Sequence, residues 1–317
     1  MSALNSFENW VPTNVIWRAG QPRLRWALLG KLAYMEPFFD MEIGRGLAQA
    51  QCHVEQRESS LDELAQAFDR PEAVPSGFIF HLSRCGSTLV SQMLAALDGA
   101  TVISEAPPVD AILRAHLSGP RICDEQRILW LRALLGALRA SGAGQQHFFV
   151  KFDAWNALEL PLIRQAFPEV PWIFVCREPL EVLRSHARQP GGHMVQGVLA
   201  TETYGAPPPP PDLPAADYRA WVLTRICEAA HSALDQCGGG RVVNYSTLPA
   251  AVCESLLDFF SIPPTAGNLQ RLQDASRLDA KQPGTPFIRT NMSPAPLATP
   301  AYAQLLSYSF QRLLAHP

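Results

Sequence analysis

The residues with the clearest capacity for chemistry lie in one stretch, FIFHLSRCGSTLV, at positions 78–90. Its apolar half predicts a strand, followed by a tight turn and a helix that begins near Gly86, Ser87 and Thr88. The unpaired N–H groups at a helix start point at a ligand, and the helix dipole favours negative charge there. Gly86 allows close approach of the backbone, the two hydroxyls add donors, and Arg84 adds a permanent cation with forked donors. The stretch therefore predicts an anion-binding turn that holds a phosphate.

This turn differs from the phosphate-binding loop of nucleoside triphosphatases. That loop reads GxxxxGK[ST], whereas here His81 stands at the first glycine and Ser87 at the lysine. No predicted strand ends in a clear aspartate of the kind that assists magnesium, so magnesium-driven phosphoryl transfer lacks a main component. We expect the turn to hold a phosphate without driving off a γ-phosphoryl group.

A second candidate anion site follows the apolar run at 172–176. Arg177 comes directly after this run, Pro179 suits the first turn of a helix, and Ser185 lies two turns further along. An arginine at the end of a strand and a serine on the next helix can hold one phosphate from two sides. Arg177 and Ser185 are therefore predicted to bind a second phosphate.

Together the two stretches resemble the cofactor signatures of the sulfotransferases that use 3′-phosphoadenosine 5′-phosphosulfate (PAPS). SRCGST at 83–88 is similar to the family's P-[KR]-S-G-T/S-T loop, which holds the 5′-phosphosulfate, with Cys85 in place of the usual serine. CREPLEVLRS at 176–185 is similar to the second signature, in which an arginine and a serine eight residues later hold the 3′-phosphate. Further resemblance at Lys151, in YSTL after residue 244, and in FFSIP before residue 264 extends the match over residues 77–265.

The resemblance implies a set of donor-binding residues, to which two cations of the irregular segment 279–300 are added because such segments often cover a site. The predicted donor-binding residues are Arg84, Cys85, Gly86, Ser87, Thr88, Leu89, Arg177, Ser185, Tyr245, Lys281 and Arg289. Backbone N–H groups are expected to do much of the holding, so the substitution at Cys85 should be tolerated.

The resemblance also implies residues for the transfer itself. Arg84 and Lys151 would stabilise the charge that develops on the departing phosphate. Tyrosylprotein and bacterial glycolipid types have a glutamate base after the second strand, which matches Glu105, whereas the cytosolic small-molecule branch has a histidine where this chain has Asp153. Glu105 is the favoured base and Asp153 the alternative. His186 and His193 are further candidates for the base, ranked after the two carboxylates.

Alternating strands and helices must position these residues. Apolar runs predict strands at 78–82, 101–104, 148–152, 172–176 and 241–245. Helical patterns occupy 87–97, 125–140, 156–167, 180–188, 216–236 and 248–260. This alternation predicts a three-layer α/β fold around a largely parallel sheet of about five strands. Ligands of such sheets bind at the carboxyl ends of the strands, where both anion motifs lie.

The chain divides into two predicted parts. Residues 1–76 are expected to form a mostly helical extension packed on the main domain, with helical patterns at 26–34 and 60–68, and residues 77–317 form the α/β domain. The proline- and glycine-rich segments 189–212 and 279–300 are expected to be irregular loops that could cover the phosphate end.

Composition narrows the class of protein. The chain has 317 residues, of which 47% are hydrophobic, so it can build a sizeable core. Its 26 basic and 29 acidic residues give a net charge of −3, which argues against a general nucleic-acid or acidic-membrane binder. Seven scattered cysteines without metal-ligand spacing argue against a zinc site or a disulfide framework. With no visible signal peptide or membrane span, a cytoplasmic location is expected.

The sequence thus predicts a PAPS-dependent sulfotransferase. It would move a sulfuryl group to a hydroxyl, phenol or amine of a small molecule or glycolipid by in-line displacement, with a carboxylate base and no metal. Two alternatives stay open: an atypical P-loop nucleotide kinase, and a nucleotide-binding scaffold without turnover.

Overall fold

The computed structural model describes residues 7–50, 54–68, 74–118, 122–205, 207–282, 284–287 and 301–316. The strands are β1 (Trp10–Arg18), β2 (Gln21–Leu28), β3 (Gln56–Ser60), β4 (Gly77–His81), β5 (Ala100–Ser104), β6 (His147–Lys151), β7 (Trp172–Cys176) and β8 (Gly240–Asn244). The helices are α1 (Phe39–Gln49), α2 (Leu61–Phe68), α3 (Ser87–Ala95), α4 (Pro107–Leu113), α5 (Ala115–Ser118), α6 (Asp124–Ser141), α7 (Leu160–Ala166), α8 (Pro179–Arg188), α9 (Ala215–Cys237), α10 (Leu257–Phe259), α11 (Ala266–Ser276) and α12 (Ala303–Leu314).

The central sheet contains five strands in the order β5-β6-β4-β7-β8, and every neighbouring pair is parallel. Strands β4 and β7 are buried along their whole length, which is why each reads as an uninterrupted apolar run rather than an alternating one. All five predicted strands are confirmed, each within one residue at either end.

Two groups of helices flank this sheet. Helix α3 contacts β4, β5, β6 and α11, whereas α6, α7, α8, α9 and α12 form a separate contiguous group. The predicted helices are confirmed, although two of them begin differently. The predicted helix at 156–167 opens as a 3-10 helix, Ala154–Glu159, before α7, and the one at 248–260 opens as a π-helical turn, Val252–Leu256, before α10. The three-layer α/β architecture is therefore confirmed.

The N-terminal extension departs from the prediction. Instead of being mostly helical, its described part contains the antiparallel sheet β1-β2-β3 together with α1 and α2. The helix expected at 26–34 is wrong, because β2 continues to Leu28. The fully buried Leu24 and Trp26 alternate with the less buried Arg23 and Arg25, and this period-2 pattern is typical of a half-buried strand. The helix predicted at 60–68 is confirmed as α2, where Ser60 and Glu63 form a reciprocal capping box.

The extension shares one hydrophobic core with the α/β domain. Helix α2 packs against α6, and β1 packs against α4 and α6. Trp26 stacks on Phe68 with ring centroids 6.1 Å apart, and both belong to the same buried cluster as the central strands. This packing brings the segment before α1 towards the central sheet.

The loop at 189–212 is more structured than predicted. It contains two short 3-10 helices, Gly192–Met194 and Thr201–Tyr204, and Tyr204 is fully buried, with its hydroxyl donating to the carbonyl of His193 at 2.7 Å. In the part of the chain that the structure describes, no helix is long and apolar enough to cross a membrane.

Candidate active site

Every strand of the central sheet delivers a candidate residue at its carboxyl end. The turn at 82–86 follows β4, Glu105 follows β5, Lys151 ends β6, Arg177 follows β7 and Tyr245 follows β8. Because the five strands are parallel and neighbouring, these residues meet at one edge of the sheet, where open α/β sheets bind ligands.

The turn after β4 has an unusual backbone. Ser83, Arg84 and Gly86 all have positive φ, at 72°, 49° and 91°. Helix α3 then begins at Ser87, and its first intrahelical bond runs from the N–H of Val90 to the carbonyl of Gly86 at 3.2 Å. The earlier N–H groups of the helix therefore have no acceptor within it and are available to an anion.

Gly86 is required by its surroundings as well as by its φ. A Cβ atom at this position would lie 2.7 Å from Cδ2 of Tyr245 and 3.1 Å from Cδ1 of Leu248. The close approach packs the Tyr245 ring directly on the anion-binding turn.

Cys85 contributes its backbone rather than its thiol. The side chain is fully buried, and Sγ donates to the carbonyl of Val175 at 3.0 Å. Burial raises the pKa of the Cys85 thiol to about 11, so it stays protonated and unreactive near neutral pH. All six cysteines in the described ranges are free.

Arg177 reaches the same turn through Tyr245. Its guanidinium lies 4.2 Å from the centroid of the Tyr245 ring, and its Nε donates to Oε2 of Glu181 at 2.5 Å. The two predicted anion motifs are therefore linked by one aromatic ring that contacts both. Ser185 lies two turns along α8, half-buried.

Arg84 forms a second link between the motifs. Its Nη2 donates to the carbonyl of Gln189 at 3.0 Å, directly after α8. The cation predicted at the turn is thus held near the end of the helix that carries Ser185.

Glu105 sits in a dense set of charges beside the turn. Its Oε1 forms an ion pair with Nζ of Lys151, whose side chain is fully buried, and lies 3.3 Å from Nε2 of His81. Burial opposes ionisation of Glu105, but the charge of Lys151 and the nearby ring of His81 outweigh it and lower the pKa of the carboxyl well below its usual range. Glu105 is therefore ionised at neutral pH.

Asp153 behaves in the opposite way. Burial, followed by the charges of Glu105 and Asp110, raises the pKa of Asp153 well above its usual value. Two carboxyl groups at one sheet edge thus have pKa values pushed apart, with Glu105 the ionised member and Asp153 the one that holds its proton more tightly.

Two cations of the predicted loop 279–300 complete the list of candidates. Partial burial, and then the charges of Arg84 and Lys151, lower the pKa of Lys281, so its ammonium lies within the electrostatic reach of the turn. Arg289 lies outside the described residues.

Four residues that bear on the site were not assigned to it from the sequence. Phe38, just before α1, has its ring centroid 5.1 Å from Nζ of Lys151. His81 is the last residue of β4, and Ser83 lies in the turn that follows. The sequence motif of this stretch predicts only its anion-binding residues. Trp155 lies with its ring centroid 5.1 Å from that of His193. The sequence pattern offered a hint only for His81, a polar residue ending an apolar strand at the ligand edge.

No protein-family model and no curated protein sequence matches the chain. Solved structures do match it. Sulfotransferase STF9 from Mycobacterium avium is 14% identical, with 80% of each chain covered and a TM-score of 0.50. The sulfotransferase domain from the curacin biosynthetic pathway is 17% identical over 75% of this chain and 98% of that domain, with a TM-score of 0.45. At these identities the likeness concerns the fold, and by the first comparison the chain has the fold of a sulfotransferase.

Proposed function

We propose that the protein is a PAPS-dependent sulfotransferase that acts on a hydroxyl, phenol or amine of a small molecule or glycolipid. One observation carries the proposal: the turn at 83–88 and Arg177 both contact Tyr245 at the carboxyl edge of the sheet. Two anion sites joined in this way suit a ligand with two separate phosphate groups, as PAPS has.

The turn is suited to the phosphosulfate end of such a ligand. The N–H groups at the start of α3, the hydroxyls of Ser87 and Thr88, and the guanidinium of Arg84 are the donors that would hold it. The positive φ angles at 83, 84 and 86 support this assignment, because they form a concave backbone turn in which N–H groups can converge. When bound, PAPS supplies the sulfuryl group and a 5′-phosphate as leaving group.

Arg177 is suited to the second phosphate. Glu181 engages Nε and Tyr245 lies against the guanidinium, so the orientation of the side chain is fixed before a ligand arrives. A pre-oriented arginine loses less conformational entropy on binding an anion than a mobile one does. Ser185 would add a hydroxyl donor from α8.

Glu105 is suited to take the proton of the acceptor. It would do so as the acceptor oxygen bonds to sulfur and the bond between sulfur and the leaving phosphate oxygen breaks. A base must be ionised beforehand, and Glu105 meets this condition, whereas the raised pKa of Asp153 favours its protonated form. Because the pKa of Glu105 lies well below neutral, Glu105 would take the proton only as the forming bond to sulfur makes the acceptor hydroxyl acidic. Lys151, paired with Glu105, is the adjacent buried cation that would stabilise charge on the leaving phosphate.

The acceptor side has aromatic character. Phe38 lies over Lys151, and Trp155 lies against His193, both half-buried near the proposed base. Half-buried aromatic rings around a charged centre suit an acceptor with an apolar or aromatic body next to its nucleophile.

Transfer from radiolabelled PAPS tests the proposal directly. The purified protein would be incubated with a panel of phenols, aliphatic alcohols, amines and glycolipids, and sulfated product would be separated and counted. We expect transfer to at least one class. Glu105→Gln should lower the turnover by about 100- to 10,000-fold, while Asp153→Asn should retain most of it.

Binding of the bisphosphate product, 3′-phosphoadenosine 5′-phosphate, separates the possible failures. Glu105→Gln should bind it as the wild type does, which would exclude general unfolding. Binding without transfer to any acceptor would point to a scaffold, and equal turnover in Glu105→Gln would remove Glu105 as the base.

A further inference from the structure

His81 has a fixed ring tautomer beside the proposed base. It is the last residue of β4 and only 5% exposed. Its Nδ1 accepts the backbone N–H of Ser83 at 3.0 Å, so the proton of the neutral ring resides on Nε2. Nε2 lies 3.3 Å from Oε1 of Glu105, and it has no hydrogen-bond partner among the described residues.

His81 and Lys151 converge on the same oxygen of Glu105. Both contacts are made to Oε1, whereas Oε2 has no hydrogen bond or ion pair with any residue in the described ranges. Contact of both groups with one oxygen restricts the terminal torsion of Glu105, which is otherwise broad. The other oxygen is then presented in a defined direction.

A second imidazole steadies the turn that holds His81. Nδ1 of His186 accepts the backbone N–H of Gly191 at 3.3 Å, which leaves its Nε2 to donate to Oγ of Ser83 at 3.1 Å. Ser83 therefore binds His186 through its hydroxyl and His81 through its backbone N–H. The chain of contacts runs from the loop after α8, through the turn, to Glu105.

We infer that His81 is a positioning residue for the base: the proton on its Nε2, 3.3 Å from Oε1, holds that oxygen of Glu105 so that Oε2 meets the acceptor hydroxyl. The inference rests on the proposed function, and it assigns a role to a residue outside the two anion motifs. His81 does not touch the reacting atoms and acts through Glu105 alone.

The electrostatics around Glu105 agree with this geometry. Burial, ahead of its other interactions, lowers the pKa of His81, so the ring is neutral at pH 7 and presents its N–H without a charge. Removal of this N–H should raise the pKa of Glu105, because a donor beside the ionised form favours that form. The groups that act electrostatically with Glu105 are His81, Lys151, Asp153, His193 and Lys281.

Two variants at this position test the inference. His81→Gln keeps a side-chain N–H that can donate to Oε1, whereas His81→Leu has a similar volume and no donor. We expect His81→Leu to lower turnover with unsubstituted phenol, which stays protonated at neutral pH, as the probe acceptor by about 100-fold, the cost typical of a misplaced catalytic group. His81→Gln should recover activity to within about tenfold of the wild type. Both variants lose the acceptor that Nδ1 offers to the N–H of Ser83, so any loss of affinity for the bisphosphate product should be equal in the two.

Infrared spectroscopy gives a readout that a packing role would not move. Difference spectra against Glu105→Gln would isolate the Glu105 carboxylate bands in each protein at neutral pH. The bands should shift in His81→Leu and less in His81→Gln, because the N–H beside Oε1 is lost in the first and kept in the second. Equal loss of activity in both variants with unshifted bands would overturn the inference alone. A wild-type protein that transfers nothing from PAPS would overturn the proposed function and this inference with it.

Discussion

At the scale of single residues, two neighbours orient the side chain of Arg177. The carboxylate of Glu181 engages Nε, and the ring of Tyr245 lies 4.2 Å from the guanidinium carbon. Tyr245 is held in turn by close contact with Gly86. Tyr245 therefore contacts both predicted anion motifs, and a substitution in either motif should change anion binding at the other.

The first prediction concerns Arg177→Ala. It should weaken binding of 3′-phosphoadenosine 5′-phosphate by about 10- to 100-fold, because a charge-assisted hydrogen bond is worth about 1.5–3 kcal/mol. Arg177→Lys should recover part of this loss, since it keeps the charge without the fork. Isothermal titration calorimetry measures both.

Arg271→Ala is the matched control for Arg177. Arg271 lies on α11, exposed, 3.7 Å from Asp98, which follows the C-terminal end of α3. Its removal subtracts one cation without touching the site and should leave the affinity unchanged. Wild-type affinity in Arg177→Ala would contradict the second anion site.

The chemistry at residue scale could be predicted only in part. The sequence places the candidate anion-binding residues at 84–88 and at 177 directly after apolar runs, and the structure confirms that both follow strand ends. The pairing of Lys151 with Glu105 was not, because these residues are separated by 46 positions and meet only through the parallel pairing of β5 with β6. The role of His81 needed the same tertiary information.

At the scale of elements, the start of α3 depends on a backbone that few residues can adopt. Ser83 and Arg84 bear positive φ despite having side chains, and Gly86 follows at 91°. Positive φ in residues other than glycine costs free energy and is typical of functional turns.

The second prediction concerns Gly86→Ala. It should lower the free energy of unfolding by about 1–3 kcal/mol, since it combines backbone strain with the contact to Tyr245. It should also weaken bisphosphate binding, because Tyr245 must shift. Urea unfolding and calorimetry measure the two effects.

Gly197→Ala separates strain from contact. Gly197 has φ of 84° and open space within 4 Å of its Cβ direction. It should lose stability through the backbone alone and keep wild-type affinity. If both variants keep that affinity, the packing of Tyr245 on the turn has no role in binding.

The third prediction concerns the pH dependence of stability through α8. Burial, followed by the charges of His193 and Arg84, lowers the pKa of His186 from 6.5 to about 3 in the folded protein. The unfolded chain binds a proton at His186 below about pH 6.5 while the folded chain does not, so stability falls as pH drops through this window.

His186→Gln removes this titration while keeping a donor for Ser83. It should therefore lose less stability than the wild type between about pH 7.5 and pH 5, as followed by urea unfolding at both values. Identical losses in the two proteins would contradict the assignment of this window to His186.

The elements were predicted with uneven success for a physical reason. Strands β4 and β7 are buried on both faces, so their apolar runs are unambiguous. The apolar run that begins at Trp26 predicts a helix, whereas residues 26–28 pair with β1 and the strand β2 also pairs with β3. Such long-range pairing overrides local propensity.

For the whole molecule, the extension does more than cover the α/β domain. Its sheet and α2 belong to the common core, and Phe38 lies over the buried Lys151. Through Phe38 the extension reaches the carboxyl edge of the central sheet. Under the proposed function, Phe38 would belong to the acceptor side of the site.

The fourth prediction concerns Phe38→Ala. It should raise the KM for an aromatic acceptor by about tenfold, the effect of about 1.4 kcal/mol of lost apolar contact, while binding of the bisphosphate product stays unchanged. Met41→Ala, at an exposed position on α1, is the control and should change neither. An unchanged KM in Phe38→Ala would remove the extension from the acceptor site.

A thermal melting scan with two nucleotides tests whether the protein binds the PAPS nucleotide in preference to ATP. The protein would be heated with 3′-phosphoadenosine 5′-phosphate, with ATP–magnesium, and with neither. We expect a higher Tm with the bisphosphate alone, since a ligand at 100 times its Kd adds about 2.7 kcal/mol of stability. Arg177→Ala should lose most of this shift. A larger shift with ATP–magnesium than with the bisphosphate would contradict PAPS binding and favour a kinase.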